Sequence, residues 1–367
     1  MGRREKEALP PRPGGYGAGS ERGGPRSRAA GLKASAWVEW RPQAKADWRA
    51  GTVAGIALAA PLLAGTATGH PGTGAALTLP ALLVVMPLPA GAGLDERARR
   101  LGTRTAVITL AGLYSFLTDG LLWALVPALT IAAAAGALLP RVGSTAALAV
   151  LLVGISGPVE AFGIPALPQL AGSLWGAALL LPRRTRTTPT SSPGRTPVRT
   201  REDRLHAARL GLLLATASAA MAAGHRLSGE GHWLLTGILL SLCPTSEATQ
   251  SKARQRIVGN TLGGIAAALV LLTHPGPWAV AGVVAGAGTL SYALRPANYL
   301  YWCLAFPLLL LLLTDFDRSM PWYTAAVRAG LVLAGAVVSV LASRWLWPPG
   351  PTSRRCKTGL RSSSGGP

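Results

Sequence analysis

The sequence predicts an all-α, polytopic integral membrane protein with about 12 transmembrane helices in two six-helix repeats. Of its 367 residues, 49% are hydrophobic and only 14% are charged. The mean hydropathy is +0.34. Long apolar runs such as 304–313 recur along the chain. A soluble helix needs a polar face, and these runs lack one, so the lipid bilayer is the first partner that we predict.

The basic charge is concentrated outside the apolar runs. The net charge of +21 would ordinarily suggest a nucleic acid partner. However, residues 1–49 carry eleven Lys or Arg, residues 183–204 carry seven Arg, and further cations mark the C-terminal tail. Basic flanks set the orientation of membrane proteins and attract anionic lipids, so we predict no nucleic acid partner.

Turn-forming segments rich in Gly, Pro and Asp separate twelve apolar runs, six on each side of a polar linker. The runs predict helices at 51–67, 74–88, 105–117, 121–139, 145–155 and 167–181, and then at 205–224, 233–242, 257–272, 278–293, 299–313 and 322–346. The second run of each half is especially short for a full span.

The runs and their flanks also divide the chain into segments. The predicted organisation is a disordered basic tail (1–47), a first transmembrane repeat (48–182), an Arg- and Pro-rich linker (183–204), a second repeat (205–348) and a basic tail (349–367).

The two halves share a pattern at an offset of 157 residues. An apolar run ends at Pro, an R-x-R pair follows about ten residues later, and Gly then opens the next helix. At this offset Pro87 falls on Pro244, Arg97 on Arg254, Arg99 on Arg256 and Gly102 on Gly259. The order of the four matches predicts an internal duplication, which is a common construction of transporters.

The distribution of charge predicts a topology. If the amino terminus is cytoplasmic, the inward loops carry most Arg and Lys residues, including Lys252 and Arg295. The outward loops carry most Asp, Glu and His residues, including Glu230. Both halves then share one orientation in a bacterial plasma membrane, with both termini in the cytoplasm. The basic segment 252–256 is expected to be a cytoplasmic loop.

Several motifs in 205–348 point to a family. They are RLHAARLGLLLA with His206 and Arg209, GHWLLT at 231–236, then Pro244, Thr249, RIVGNTLGG, and a closing RAGLVLAGAVVSVLASRWLWP. They resemble the FUSC superfamily, which comprises fusaric-acid-resistance-like and aromatic-acid-exporter membrane proteins. Asn260 stands where the family usually has Thr. In the first half, RARRLGT at 97–103 is the best match.

The resemblance implies a multi-pass inner-membrane protein that exports organic or aromatic acids. The 23-residue linker at 182–204 is too short for the soluble domain that some members carry there. The leading hypothesis is therefore a transporter of a small organic anion, not an enzyme. A non-transporting membrane scaffold with basic tails and a membrane enzyme using external His and Glu residues are the alternatives.

Arginines are the candidate anion-path residues. Arg97, Arg99, Arg254 and Arg256 either line an inner vestibule, because Arg forks hold carboxylates well, or only orient the chain. Arg209 lies near a helix start and could snorkel to the headgroups. Arg328 lies two turns into the last helix, where it needs a cavity or a partner, and Asp315 and Asp317 are the expected partners.

The remaining candidates surround a predicted helix break. His232 and Trp233 open the short eighth run, with Trp233 as an expected interfacial anchor and Thr236 in the same motif. Pro244 ends that run, and Thr249 belongs to the turn. Gly259 and Gly263 allow close helix approach. No ligand spacing predicts a metal, and no motif predicts a cofactor.

A homo-oligomer is a further expectation. Gly282, Gly286 and Gly288 form a small-residue face, which could pack against another protomer or within the chain.

Overall fold

Twelve α-helices and no strands occur in the described part of the chain. The computed structural model describes residues 40–42, 44–86, 93–118, 121–139, 141–156, 164, 166–181, 201–224, 230–316, 321 and 323–346. The helices are α1 Trp48–Ala67, α2 Pro71–Val84, α3 Leu94–Leu117, α4 Leu122–Leu138, α5 Thr145–Ser156, α6 Leu167–Leu180, α7 Arg201–Ala223, α8 His232–Ser241, α9 Ser246–Leu272, α10 Pro277–Leu294, α11 Tyr299–Thr314 and α12 Tyr323–Leu346.

Most helix boundaries agree with the sequence predictions, but α3 and α9 do not. Each begins eleven residues before its predicted start, at Leu94 and Ser246. The Thr245 hydroxyl caps α9 by accepting a hydrogen bond from the backbone N–H of Ala248 at 3.2 Å. Acidic residues occupy the first turns of both helices, where the helix dipole favours them. The basic segment 252–256 is therefore helical, and its prediction as a loop is wrong.

Helix length varies widely across the described chain. Five helices, α1, α7, α9, α10 and α12, are long and apolar enough to cross a membrane. The eighth helix has 10 residues, about 15 Å, against a hydrocarbon core of about 30 Å. In the second half the second helix is thus the shortest, as predicted. In the first half the prediction is wrong, because α5 with 12 residues is shorter than α2 with 14.

Helices pack against one another both within each half of the chain and between the two halves. Within the halves, α2 packs on α6, α3 on α5 and α6, and α4 on α5; α8 packs on α12, α9 on α11 and α12, and α10 on α11. Between the halves, α1 packs on α10 and α4 on α7. The α1–α10 contact is close, since a Cβ at Gly55 would lie 2.1 Å from Thr289 Oγ1.

Hydrogen bonds show which helix ends lie together. The backbone N–H of Asp47, which caps α1, donates to Ala293 O at the end of α10. The Tyr292 hydroxyl donates to Leu82 O near the end of α2, and the Arg104 side chain of α3 donates to Val84 O at the end of α2. We call this end, where α1, α3, α9 and α11 begin and α2 and α10 finish, the basic end.

The predicted terminal and linker segments differ partly from the structure. Residues 40–42 were assigned to the disordered tail, yet Trp40 O accepts a hydrogen bond from the Tyr301 hydroxyl at 2.8 Å. Arg41 O accepts one from Asn298. The seventh helix begins at Arg201, inside the predicted linker. Residues 1–39, 182–200 and 347–367 lie outside the described residues, as does Pro87.

Candidate functional site

Four helices of the second half, α8, α9, α11 and α12, enclose a narrow cavity. Its water-accessible volume is about 20 Å³, which is room for about one water molecule. Apolar and aromatic side chains form most of the wall, and the polar groups are few. The lining residues are Trp233, Thr236, Arg256, Asn260, Phe306, Pro307, Leu310, Leu311, Arg328, Ala329 and Val332.

Glycines bring the walls of the cavity together. A Cβ at Gly259 would lie 2.4 Å from the Cβ of Cys303, and one at Gly263 would lie 2.2 Å from Leu304 O. Real side-chain contacts are not that short, so α9 and α11 can pack this closely only because these positions are Gly. The sequence prediction that Gly259 and Gly263 permit close approach is confirmed.

Arg256 lies at the wall of the cavity nearer the basic end. Arg256 is 3% exposed, and its Nη1 donates a hydrogen bond to the Tyr299 hydroxyl at 3.0 Å. Its Nε has no hydrogen-bond partner in the described chain, and none of the described carboxylates forms an ion pair with it. A buried guanidinium without a counterion is costly, so this site favours an incoming anion.

Asn260 follows one helical turn after Arg256 and also lines the cavity. It is 2% exposed, and neither its amide nitrogen nor its amide oxygen has a hydrogen-bond partner among the described residues. Buried polar groups are almost always paired, because leaving one unpaired costs about 1–3 kcal/mol. The amide therefore offers two N–H donors and one acceptor to whatever enters the cavity.

Arg328 lies at the opposite end of the cavity and is fully engaged. Its Nε and Nη2 donate to the Glu230 carboxylate at 2.7 and 3.1 Å, and its Nη1 donates to Asp315 Oδ2 at 2.5 Å. The guanidinium carbon lies 5.4 Å from the centre of the Trp233 ring. The expected partner Asp315 is present, Glu230 was not expected, and Asp317 lies outside the described residues.

Trp233 and Thr236 belong to the cavity wall. Trp233 is 3% exposed and its ring lies against the Arg328 guanidinium, so its prediction as an interfacial anchor is wrong. The Thr236 hydroxyl donates to His232 O within the same helix at 2.9 Å. The half-buried His232 ring lies 5.0 Å from that of Trp233.

The predicted break after α8 is present, and Thr249 holds it. The chain turns extended at Leu242, two residues before Pro244. The Thr249 hydroxyl accepts a hydrogen bond from Cys243 N at 3.0 Å and donates to Thr245 O at 2.9 Å. It thus satisfies a backbone donor that the break exposes.

The other candidate arginines do not reach the cavity. Arg97 is buried near the end of α6, with Nη1 3.5 Å from Leu180 O, whereas Arg99 and Arg254 are exposed. Arg209 is half-buried on α7. The two R-x-R pairs therefore lie in different environments. The buried arginine is the first of the pair in the first half, Arg97, and the second of the pair in the second half, Arg256. Of the four predicted vestibule residues, only Arg256 lines the cavity.

Sequence reasoning counted Lys252 and Arg295 as loop charges and missed their position beside the cavity. The Lys252 ammonium lies 5.6 Å from the centre of the Tyr299 ring. Arg295 lies 4.7 Å from the centre of the Trp302 ring, and Trp302 stacks on Phe306 of the cavity wall. Spacing was the available signal, since Lys252, Arg256 and Asn260 follow at intervals of four and so share one helix face.

A second, wider groove lies between α3 and α6, with a water-accessible volume of about 720 Å³. Alkyl side chains such as Leu101 and Leu174 dominate its wall, and none of its described lining residues is charged. It suits an anion less well than the cavity does.

Five of the described helices are long and apolar enough to cross a membrane, which is the property of an α-helical integral membrane protein. The family model described as fusaric acid resistance protein-like matches residues 212–342. This match includes α8, α9, α11 and most of α12. It confirms the resemblance of the second half to the FUSC superfamily.

Among curated proteins, an uncharacterized protein of Haemophilus influenzae is 33% identical over 121 residues. The matched stretch covers 32% of this chain and 16% of that protein, so the chain spans only a small part of the relative's length. No solved structure matches the chain.

Proposed function

We propose that the protein is a transporter that exports a small organic anion across the bacterial plasma membrane through the cavity between α8, α9, α11 and α12. The observation that carries the proposal is the buried Arg256 guanidinium, which lines the cavity and has no carboxylate partner among the described residues. Support comes from the fusaric acid resistance protein-like match over the same helices.

The wall chemistry suits an organic acid. Arg256 can bind a carboxylate through charge-assisted hydrogen bonds, and the Asn260 amide can donate to the same group or to a hydroxyl beside it. The Phe306 and Trp233 rings provide flat apolar surfaces for an aromatic or alkyl body. Sites of this kind combine an apolar wall with a few convergent polar groups.

Transport through this cavity requires helix movement. A water-accessible volume of about 20 Å³ holds no aromatic acid, so this arrangement corresponds to an occluded state. The Pro307 position within α11 and the break after α8 are places where the helices can hinge. The ion pairs of Arg328 with Glu230 and Asp315 would close the far end of the path until the anion arrives.

We also infer that the two halves arose by duplication, and two features support this. The helix contacts of α2–α6 recur in α8–α12, and those between halves pair α1 with α10 and α7 with α4. Buried positions of α3 and α9 coincide at an offset of 152 residues, five fewer than the sequence suggested. At that offset Arg97 falls on Thr249, Leu101 on Ala253, Arg104 on Arg256 and Ile108 on Asn260.

The proposal is tested by flux in proteoliposomes that contain the full-length protein. We expect Arg256→Gln to lower efflux of benzoate or fusaric acid about ten-fold or more, because a charge-assisted hydrogen bond contributes about 1.5–3 kcal/mol. The matched control is Arg254→Gln, which removes the same charge from an exposed position two residues away. It should change flux by less than about two-fold.

Folding is checked for each variant by its unfolding temperature and its elution as a single species. If Arg256→Gln does not fold, Asn260→Ala is the second test, because it empties the same wall without removing a charge. Wild-type flux in a folded Arg256→Gln or Asn260→Ala protein would rule out this cavity as the anion path.

A further inference from the structure

Three cations lie together at the basic end of the cavity. Lys252 and Arg256 are one turn apart on α9, and both contact Tyr299, one with its ammonium over the ring and the other by a hydrogen bond to the hydroxyl. Arg295 follows α10 and lies over Trp302. Lys252 is close enough to both arginines for mutual electrostatic repulsion. We call Lys252, Arg256 and Arg295 the cation cluster.

No described carboxylate balances this cluster. Ion pairs between described residues include those of Arg100, Arg141 and Arg328, but none includes a member of the cation cluster. Arg256 Nε and Arg295 Nη1 are buried without a hydrogen-bond partner in the described residues. The charged and titratable groups that act on the cluster are His206, Arg104, Tyr292, Tyr299, Cys243 and Cys303, and none of them is a carboxylate.

Aromatic faces offset only part of the repulsion. Tyr299 and Trp302 each attract one cation through the ring quadrupole, but neither brings a negative charge. The cluster therefore holds three positive charges. The cavity beyond it ends at Arg328, whose single positive charge is more than offset by two carboxylates. A single carboxylate entering from the basic end would leave two of the three cations uncompensated.

We propose that the cation cluster selects anions that carry at least two negative charges on one small body, such as an aromatic or aliphatic dicarboxylate. This inference rests on the proposed transport function and specifies its substrate class. One carboxylate would bind Arg256 and Asn260 at the cavity wall, and the second would lie between Lys252 and Arg295. The stacked Trp302 and Phe306 rings link Arg295 to the cavity and would flank the body of the anion.

The same chemistry could be supplied by a phospholipid headgroup with two phosphates, since basic pockets between helices bind such lipids. We assign the cluster to a soluble dianion, because Arg256 is 3% exposed and reaches the cavity interior. A headgroup remains tied to the membrane surface and reaches such a position less readily.

The test compares two anions that share one ring, benzoate with one carboxylate and phthalate with two, at neutral pH. Binding to the purified full-length protein is measured by calorimetry, and flux is measured in vesicles of phosphatidylcholine. We expect phthalate to bind about ten-fold or more tightly than benzoate. The double variant Lys252→Gln/Arg295→Gln should lose that preference, because it removes the two cations that would bind the second carboxylate.

The matched control is Arg99→Gln/Arg254→Gln, which removes two charges from exposed positions and should keep the preference for phthalate. Each outcome separates the two proposals. Equal affinity for phthalate and benzoate, with measurable flux of both, would overturn the dianion inference and leave the transport proposal intact. Absence of flux for both anions would count against transport itself.

A lipid arm tests the other source of the ligand. Cardiolipin is added to the phosphatidylcholine vesicles, and the unfolding temperature is measured with and without phthalate. If the ligand is a soluble dianion, phthalate should raise the unfolding temperature of the wild type, and cardiolipin should not compete with phthalate. Stabilisation by cardiolipin alone, abolished in Lys252→Gln/Arg295→Gln, would overturn the assignment to a soluble anion.

Discussion

At the scale of single residues, Arg256 and Arg328 show how differently two buried arginines can be used. Arg328 donates to two carboxylates, and its side chain and that of Asp315 are 7% and 4% exposed. Arg256 has a phenol hydroxyl as partner and no described carboxylate. Charge balance therefore leaves Arg328 occupied by carboxylates of the protein itself and leaves Arg256 able to bind a ligand.

Replacement of Arg328 should destabilise the protein strongly. In Arg328→Ala the Asp315 carboxylate keeps its buried position and loses this counterion, for which the expected loss is about 3–5 kcal/mol in the free energy of unfolding. The measurement is denaturant or thermal unfolding in detergent. The control is Arg344→Ala on the same helix, where the side chain is exposed and its loss should cost little.

A double-mutant cycle with Asp315→Asn sharpens this test. If the ion pair is the source of the loss, the two substitutions together should cost less than the sum of their separate effects. Additive effects would show that Arg328 stabilises the fold through other contacts.

The sequence identified some of the site residues and missed others for a physical reason. Arg256 and Arg328 stood out because a charge beside an apolar run is costly. Lys252 and Arg295 looked like ordinary loop charges, but the packing of α9 against α11 brings Lys252 to Tyr299, and the turn from α10 into α11 brings Arg295 to Trp302. Glu230 was expected in an outward loop, yet it pairs with Arg328 across 98 positions of sequence. Long-range pairs of this kind leave no local pattern.

At the scale of helices, the contact between α9 and α11 depends on glycine. Gly263→Ala should lower the free energy of unfolding by about 1–3 kcal/mol, because its Cβ would lie 2.2 Å from Leu304 O and the backbones must separate. Gly282→Ala on α10 is the control, since a Cβ there meets nothing within 4 Å. Its stability should stay the same or rise slightly, because Ala favours helix more than Gly.

Both variants are measured by thermal unfolding in the same detergent. Equal stability of Gly263→Ala and Gly282→Ala would contradict the close approach of the two helices. Flux should fall in the first variant as well, because the cavity wall shifts with α9.

Glycine also bears on the expected oligomer. Gly288 packs within the chain, since a Cβ there would lie 2.8 Å from Leu58 Cδ1 of α1. Gly282 and Gly286 face open space, so a protomer contact through these two remains a prediction.

Hydropathy located ten helices well and misplaced the starts of two. The first turns of α3 and α9 are polar, and a search for apolar runs assigns such turns to loops. The better signals were local: Thr245 as a cap, and acidic residues in the first turn. The same error led to the predicted repeat offset of 157 residues, because the two R-x-R pairs were aligned with each other as loop residues. Alignment of the buried faces of α3 and α9 gives 152.

At the scale of the whole molecule, the predicted topology places the linker in the cytoplasm. Alternation of the helices brings the starts of α1, α3, α9 and α11 to one end, and the cation cluster lies at that end. By the positive-inside rule this end should face the cytoplasm. A phosphatase reporter, which is active only outside the cytoplasm, should therefore be inactive when inserted within 182–200.

The same reporter inserted at His274, an exposed residue between α9 and α10 at the opposite end, should be active. Activity in the linker with inactivity at His274 would invert the molecule and remove export as the direction of transport. Activity at both sites would contradict the alternation of spans on which the duplication depends.

The pairing of α1 with α10 and of α4 with α7 means that each half supplies a helix to the other. Neither half encloses its own helices completely. Under the proposed duplication, a half-length ancestor had to associate with a second copy of itself to shield the same surfaces. Fusion of the two genes then joined the two copies permanently. After fusion, one copy of the cavity could change independently of the other.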